Sequence, residues 1–159
     1  MEDTYLTPHF RLSEFTRSAT ATKLGIDNSI PESLIPNLRR LCTEVLEPLR
    51  AFINSSTPPN TSGVPKEQCS NGERKNDKAL HYDSSKSDSG VHSDEQPIII
   101  SSGYRCPALN KAVGGAKRSY HLQGRAADIP YRRDWYLYIR DHLPHTELIN
   151  ESTWIHIAL

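Results

Sequence analysis

Several features are missing from this sequence, and each absence excludes a class of protein. No run of about 18 apolar residues is present, which excludes a membrane-spanning helix. Neither charge is in excess, because 19 Lys and Arg balance 19 Asp and Glu. This balance removes the long-range attraction that nucleic acids and anionic lipids require. The three cysteines, Cys42, Cys69 and Cys106, are widely spaced and odd in number. We therefore expect free thiols, without a disulfide framework or a paired-cysteine zinc motif.

Apolar residues are also scarce, at 36% of the 159 residues, and the deficit is local. Residues 55–96 hold nine Ser, three Gly and three Pro among 42 residues, and only three of Leu, Ile, Val and Phe together. Such a segment cannot bury enough apolar surface to offset its ordering entropy, so we predict a flexible insertion. His81, His92 and Cys69 inside it have no metal-ligand spacing. The remainder predicts a single domain over 1–159, with a helical part at 8–54 and a dense core at 97–159.

Periodicity assigns secondary structure on both sides of the insertion. Apolar residues between Ile30 and Ile53 recur at spacings of three and four, which predicts a helix starting near Pro36 and weakened at Pro48. Short helical turns are predicted at 12–15 and 19–24. After the insertion the pattern predicts a strand at 98–102, a helix at 107–113, a strand at 126–129, a helix at 132–142 and a hairpin of 147–149 with 154–159. This irregular order favours an α+β fold with a small, mainly antiparallel sheet and helices packed on it.

Residues 119–128 and 154–159 hold the most chemically informative pattern. His121 and Asp128 lie seven residues apart, and Gly124 between them lets the chain reverse from loop to strand. Alternation along the last strand places His156 opposite the face of its apolar neighbours, with Trp154 expected in the core. If the strands of Asp128 and His156 are neighbours, two imidazoles and one carboxylate converge. Three protein ligands with a fourth position for water are typical of catalytic zinc.

A zinc hydrolase also needs a carboxylate that accepts the proton of the attacking water. Glu151, five residues before His156, is the first candidate for this base, and Glu147 is the reserve. Arg105 follows the strand predicted at 98–102 and opens a helix. Its guanidinium could clamp a substrate carboxylate or a developing oxyanion, and Asn110 could fix a loop by hydrogen bonds.

At these residues the sequence resembles the zinc D-alanyl-D-alanine carboxypeptidases of the lysostaphin, D-Ala-D-Ala and hedgehog-type metallopeptidases. The resemblance is greatest to the short, single-domain forms of bacteria and their phages, and it covers about 8–54 and 97–159. It is carried by the following segments: HFRLSEFTRS at 9–18, NLR at 37–39, LEPLR at 46–50, SGYR at 102–105, Asn110, Gly114-Gly115, SYHLQGRAAD at 119–128 and WIH at 154–156.

The resemblance implies a hedgehog/D-Ala-D-Ala peptidase-like fold and one Zn²⁺ per chain, bound by His121, Asp128 and His156. It implies that Arg105 binds substrate or stabilises the transition state, and that Ser119 faces the substrate. Some members carry the catalytic acid three residues before the last histidine, where this chain has Thr153. Glu151 instead matches the acid that ends the penultimate strand in the short forms.

The activity implied is removal of the terminal D-Ala from peptidoglycan stem peptides or other D-Ala-D-Ala-containing peptides. We expect the protein to be a monomer. One alternative is a peptidoglycan endopeptidase of the phage lysin type. Another is a zinc-bearing binding module without turnover. The N-terminus has no basic or apolar segment of a classical secretory signal, so we expect cytoplasmic synthesis. Access to the cell wall would then require phage lysis or non-classical export, unless the substrate is a cytoplasmic dipeptide.

Overall fold

A computed structural model describes residues 4–55 and 95–159. Most of the predicted insertion, with His81, His92 and Cys69, lies outside the described residues. The helices and strands of the first part are β1 (Tyr5–Thr7), β2 (Phe10–Arg11), α1 (Leu12–Thr16), α2 (Ala19–Leu24), α3 (Ile35–Leu41) and α4 (Glu47–Ser55). Those of the second part are α5 (Pro107–Ala112), β3 (Ala126–Pro130), α6 (Arg133–His142), β4 (Glu147–Asn150) and β5 (Trp154–Ala158). None of the helices in these two parts is long and apolar enough to cross a membrane.

Helices α3 and α4 are joined by a π-helical turn, Cys42–Leu46, into one long helix. Pro36 lies in its first turn, as predicted, because the N–H that proline lacks has no partner there anyway. The Glu47 N–H donates to the Cys42 carbonyl, five residues back. This wider turn precedes Pro48, whose ring would collide with the carbonyl four residues before it in a regular helix. The predicted weakening at Pro48 is therefore a π turn, and the helix continues to Ser55.

Strands β3, β5 and β4 form an antiparallel sheet in that order, which confirms the predicted α+β class. Asp128 pairs with His156, and on its other side His156 pairs with Ile149. The alternate residues of β3 and β5 form the apolar face of the sheet, and all of them are buried: Ala127, Ile129, Ile155 and Ile157.

The long helix and α6 cover this apolar face. Their buried side chains join those of the sheet in one core cluster: Leu38, Leu41, Leu46, Leu49, Trp135 and Ile139. Phe52 of α4 and Tyr138 of α6 stack with ring centroids 3.9 Å apart. The opposite face of the sheet, which carries Asp128 and His156, is thereby left for polar chemistry.

Two predictions about local structure are wrong. No strand forms at 98–102, where only an isolated bridge links Ser102 to Asp128. The chain leaves the sheet at Gly103, because Gly103 packs so tightly on Phe15 that an added Cβ would lie 2.6 Å from the Phe15 Cα. Trp154 is 40% exposed and not part of the core, because it shares the polar face of β5 with His156.

Candidate metal centre

His121, Asp128 and His156 are brought together by three different elements. A 3-10 turn, Tyr120–Gln123, carries His121, and its first turn is capped by Ser119, whose Oγ accepts the His121 N–H at 3.3 Å. Gly124 ends this turn at φ 62°, a left-handed conformation that suits glycine. Strands β3 and β5 place Asp128 directly opposite His156. The two strands are therefore neighbours, as the predicted convergence of the three side chains requires.

Three side-chain atoms face one another at the centre of this group. His121 Nε2 lies 3.2 Å from His156 Nδ1 and 3.2 Å from Asp128 Oδ1, and His156 Nδ1 lies 2.8 Å from the same Oδ1. His121 and Asp128 are buried, at 2% and 6% exposure. The outer atom of each side chain is occupied by another partner, so these three inner atoms are the ones available to a ligand.

The outer partners define how each side chain is oriented. His121 Nδ1 lies 2.5 Å from the Gly103 carbonyl oxygen, which can only accept, so Nδ1 carries the hydrogen. His156 Nε2 lies 3.1 Å from Glu147 Oε2. The Arg105 guanidinium donates to Asp128 Oδ2 at 2.7 Å. In this arrangement the neutral rings direct lone pairs, together with a carboxylate oxygen, at a common point.

These lone pairs suit a positive charge. Burial raises the pKa of Asp128, but when protons instead of a metal occupy the inner ring nitrogens, hydrogen bonds from His121 and His156 and their charges outweigh burial and hold this pKa well below its usual range. Burial disfavours the charged form of His156, but the hydrogen bond and charge of Asp128, with a smaller effect of Glu147, raise the pKa of this ring. The site therefore attracts either a proton or a cation.

The spacing of the three atoms fits a tetrahedral zinc ion. Zinc bonds to nitrogen and oxygen of about 2.0–2.2 Å at tetrahedral angles place neighbouring ligand atoms about 3.3 Å apart. The observed separations of 3.2, 3.2 and 2.8 Å are close to one face of that tetrahedron. A metal entering here would complete a site of three protein ligands and leave its fourth position for water or substrate.

Arg105 is held on two sides. Its Nε donates to Ser102 Oγ at 3.0 Å, beside the ion pair with Asp128. The backbone around it is clamped by the buried Asn28, whose Nδ2 donates to the Tyr104 carbonyl and whose Oδ1 accepts the Cys106 N–H. In the sequence Asn28 belongs to the polar triplet Asp27-Asn28-Ser29, which is typical of a turn or a helix cap. Such a triplet contains no signal of a partner 76 residues away.

The remaining candidates lie around the centre. Glu147 contacts His156, whereas Glu151 is exposed in the turn after β4, and within the described part of the chain no hydrogen bond reaches its carboxylate. Ser119 is half-buried and caps the turn of His121. Asn110 is buried and donates to the Ala116 carbonyl at 3.0 Å, which fixes the loop after α5 as expected.

A groove of about 810 Å³ adjoins the centre through Ser102 and Arg105. The region of α1 and α2 forms one wall, and residues 97–102 form another. The exposed side chains that line the groove include Arg17, Ile99, Val113 and Trp154. Apolar side chains beside guanidinium groups suit a peptide that carries a carboxylate.

A largely buried His-Asp-His group beside an arginine and an open groove is the arrangement expected of a metal-dependent hydrolase. The family model described as Peptidase M15 matches residues 72–158, more than half of the chain. This chain belongs to the Peptidase M15 family, whose members are zinc-dependent metallopeptidases. The matched range includes His121, Asp128 and His156, and it does not include the helical part at 8–54. A comparison with curated proteins gave no match.

Proposed function

We propose that this metallopeptidase is a zinc-dependent D-Ala-D-Ala carboxypeptidase that acts on peptidoglycan stem peptides. The observation that carries the proposal is the convergence of His121 Nε2, Asp128 Oδ1 and His156 Nδ1 at spacings close to one face of a zinc tetrahedron. When bound, zinc would act as a Lewis acid and lower the pKa of a bound water to about 7.

The base in this proposal is Glu151. Its carboxylate accepts a proton from the attacking water and later delivers that proton to the leaving amine. Support comes from its exposed side chain, from its position two residues after Ile149, the strand partner of His156, and from the resemblance to the short peptidases. Glu147 is the weaker candidate, because its carboxylate already lies on His156 Nε2.

Arg105 and Ser119 are the proposed substrate contacts. The Arg105 guanidinium uses one edge on Asp128 and Ser102 and lines the groove, where its remaining N–H groups would bind the terminal carboxylate or the developing oxyanion. Ser119 lies two residues before His121 and would face the substrate next to the centre. The stem peptide would lie in the groove against Trp154 and Ile99.

One experiment on two samples tests the proposal. The full chain and a His156→Ala variant are purified without added metal, analysed for zinc, and incubated with defined stem peptides whose products are identified by mass spectrometry. We expect about one zinc and release of a single D-Ala in the parent, and neither in the variant.

The other outcomes separate the alternatives. Zinc with cleavage inside the stem or cross-bridge would identify an endopeptidase. Zinc with peptidoglycan binding and no cleavage would identify a binding module. A folded parent that takes up no zinc, even when zinc is supplied, would overturn the metal-dependent mechanism.

A further inference from the structure

We propose that Glu147 is a positioning residue that holds His156 in the tautomer presenting Nδ1 to the metal. The inference depends on the zinc site of the proposed function and assigns a separate role to a carboxylate next to it.

The register places Glu147 diagonally from His156. Ile149 is the direct partner of His156, and Glu147, two residues before Ile149, pairs with Ala158, two residues after His156. Residues two apart in a strand share a face, and diagonal neighbours are within reach of a long side chain. The Glu147 carboxylate spans this diagonal and places Oε2 3.1 Å from His156 Nε2.

The contact determines which ring nitrogen carries the hydrogen. An ionised carboxylate only accepts, so its partner Nε2 must donate, and a neutral ring then keeps its lone pair on Nδ1. In His121 the two nitrogens exchange these roles, because the Gly103 carbonyl holds the hydrogen on Nδ1 and leaves the lone pair on Nε2. For His156, Glu147 is the Nε2 partner within the described residues. Partners of this kind orient metal-binding histidines and raise their basicity.

The same geometry separates Glu147 from the role of base. Nε2 and Nδ1 lie on different edges of the imidazole ring, and Nδ1 is the atom that faces His121 and Asp128. The Glu147 carboxylate therefore lies across the ring from the point where the three ligand atoms meet. While it accepts from Nε2, it is directed away from the point where a metal would be held.

Zinc affinity is the first readout, measured on the full chain by competition with a chelator. We expect Glu147→Ala to weaken zinc binding about 10- to 100-fold, the range found for such outer partners. Glu147→Gln should weaken it less, because the amide oxygen can still accept from Nε2. Glu151→Gln is the matched control, since it removes the same charge from the same hairpin and should leave zinc affinity unchanged. A thermal unfolding curve of each zinc-free variant checks that the fold is intact.

The tautomer is the second readout, which a general effect of charge would not change. ¹⁵N chemical shifts of the zinc-loaded parent should show the His156 hydrogen on Nε2 and the metal on Nδ1. Glu147→Ala should speed exchange of that hydrogen with water. Parent-like zinc affinity in Glu147→Ala, an equal loss in Glu151→Gln, or metal on Nε2 would each overturn the assignment. A parent without zinc would instead refute the proposed function.

Discussion

Two acidic side chains of the β4 hairpin have different surroundings, and their chemistry should differ accordingly. Glu147 accepts a hydrogen bond from His156, whereas Glu151 is exposed in a turn whose backbone is held by hydrogen bonds to Trp154 and Thr153. A carboxylate without a competing partner can rotate toward a bound water and accept its proton. The proposed positioning residue and the proposed base are therefore separable by mutation.

Glu151→Gln should keep zinc and lose turnover. The amide has nearly the shape of the carboxylate but cannot accept the proton, so we expect kcat to fall about 10²- to 10⁴-fold with KM nearly unchanged. Zinc content and kcat are measured on the same preparation. An unchanged kcat would show that another group, with Glu147 the next candidate, is the base.

Single residues were predictable from the sequence where their spacing was local. His121, Asp128 and His156 were found because seven residues with a central glycine bring two of them together, and strand alternation orients the third. Asn28 was not found, because its role depends on contacts with Tyr104 and Cys106 far along the chain. The ion pair of Arg105 with Asp128 was missed for the same reason, since Arg105 was assigned to substrate alone.

At the scale of elements, the segment that follows Ile98 packs against α1, and this packing also positions a residue of the metal centre. Gly103 lies against the Phe15 backbone, and its carbonyl oxygen orients His121. The absence of a side chain at Gly103 is therefore required by a close approach of two backbones. This contact follows directly on the bridge between Ser102 and Asp128.

Gly103→Ala should weaken both the fold and the centre. The added Cβ would lie 2.6 Å from Phe15 backbone atoms, which must move, at a cost of about 1–3 kcal/mol of unfolding free energy. The shift of the carbonyl should also weaken zinc binding. Urea unfolding and zinc titration are the measurements.

Gly114→Ala is the control for this change. Gly114 has φ +70° and open space around it, so a methyl group adds backbone strain of about 1 kcal/mol without a collision. We expect zinc affinity to stay at the parent value in this variant. Equal zinc affinity in both alanine variants would contradict the role given to the Gly103 carbonyl.

At the scale of the whole molecule, hydrogen bonds attach the turn between β1 and β2 to the long helix. The His9 N–H donates to Glu47 Oε1 at 3.2 Å, and His9 Nδ1 lies 2.7 Å from Oε2. Burial raises the pKa of Glu47, but the hydrogen bonds it accepts, including those from His9, outweigh burial and lower it. A carboxyl whose pKa is lowered by folding stabilises the native state when it is ionised.

Glu47→Gln should therefore cost stability in a pH-dependent way. Above the unfolded pKa of about 4.3 the full contribution is present, on the order of 1 kcal/mol for this partly exposed pair. As the pH falls through the native pKa, the contribution is lost and parent and variant should converge. Urea unfolding of both zinc-free proteins between about pH 3 and 7 tests this sign.

Glu95→Gln is the comparison for this contact. Glu95 pairs with Arg50 at 2.9 Å, but its side chain is 51% exposed, so its removal should change stability little at any pH. A gap between parent and Glu47→Gln that widens as the pH falls below about 4 would refute the interpretation.

The whole architecture was predictable in class but not in detail. Alternation and helical periodicity predicted the α+β class, the long helix, α6 and the closing hairpin. The order β3-β5-β4 follows from pairing the hairpin strands and adding β3 to the free edge of β5. The single domain over 1–159 stays a prediction, since residues 56–94 are outside the described part. The groove was not predictable, because its walls come from segments about 80 residues apart.

The pairing of β3 with β5 has one more consequence. Asp128 and His156 alternate along these strands with Ile129 and Ile155, so the centre and the core occupy opposite sides of the same ten residues. A slip of one residue would turn the apolar pair to solvent and bury two titratable groups. An ion that binds only the correct pairing adds its binding free energy to that register. A bound metal would therefore stabilise the correct register of the sheet against slipped pairings.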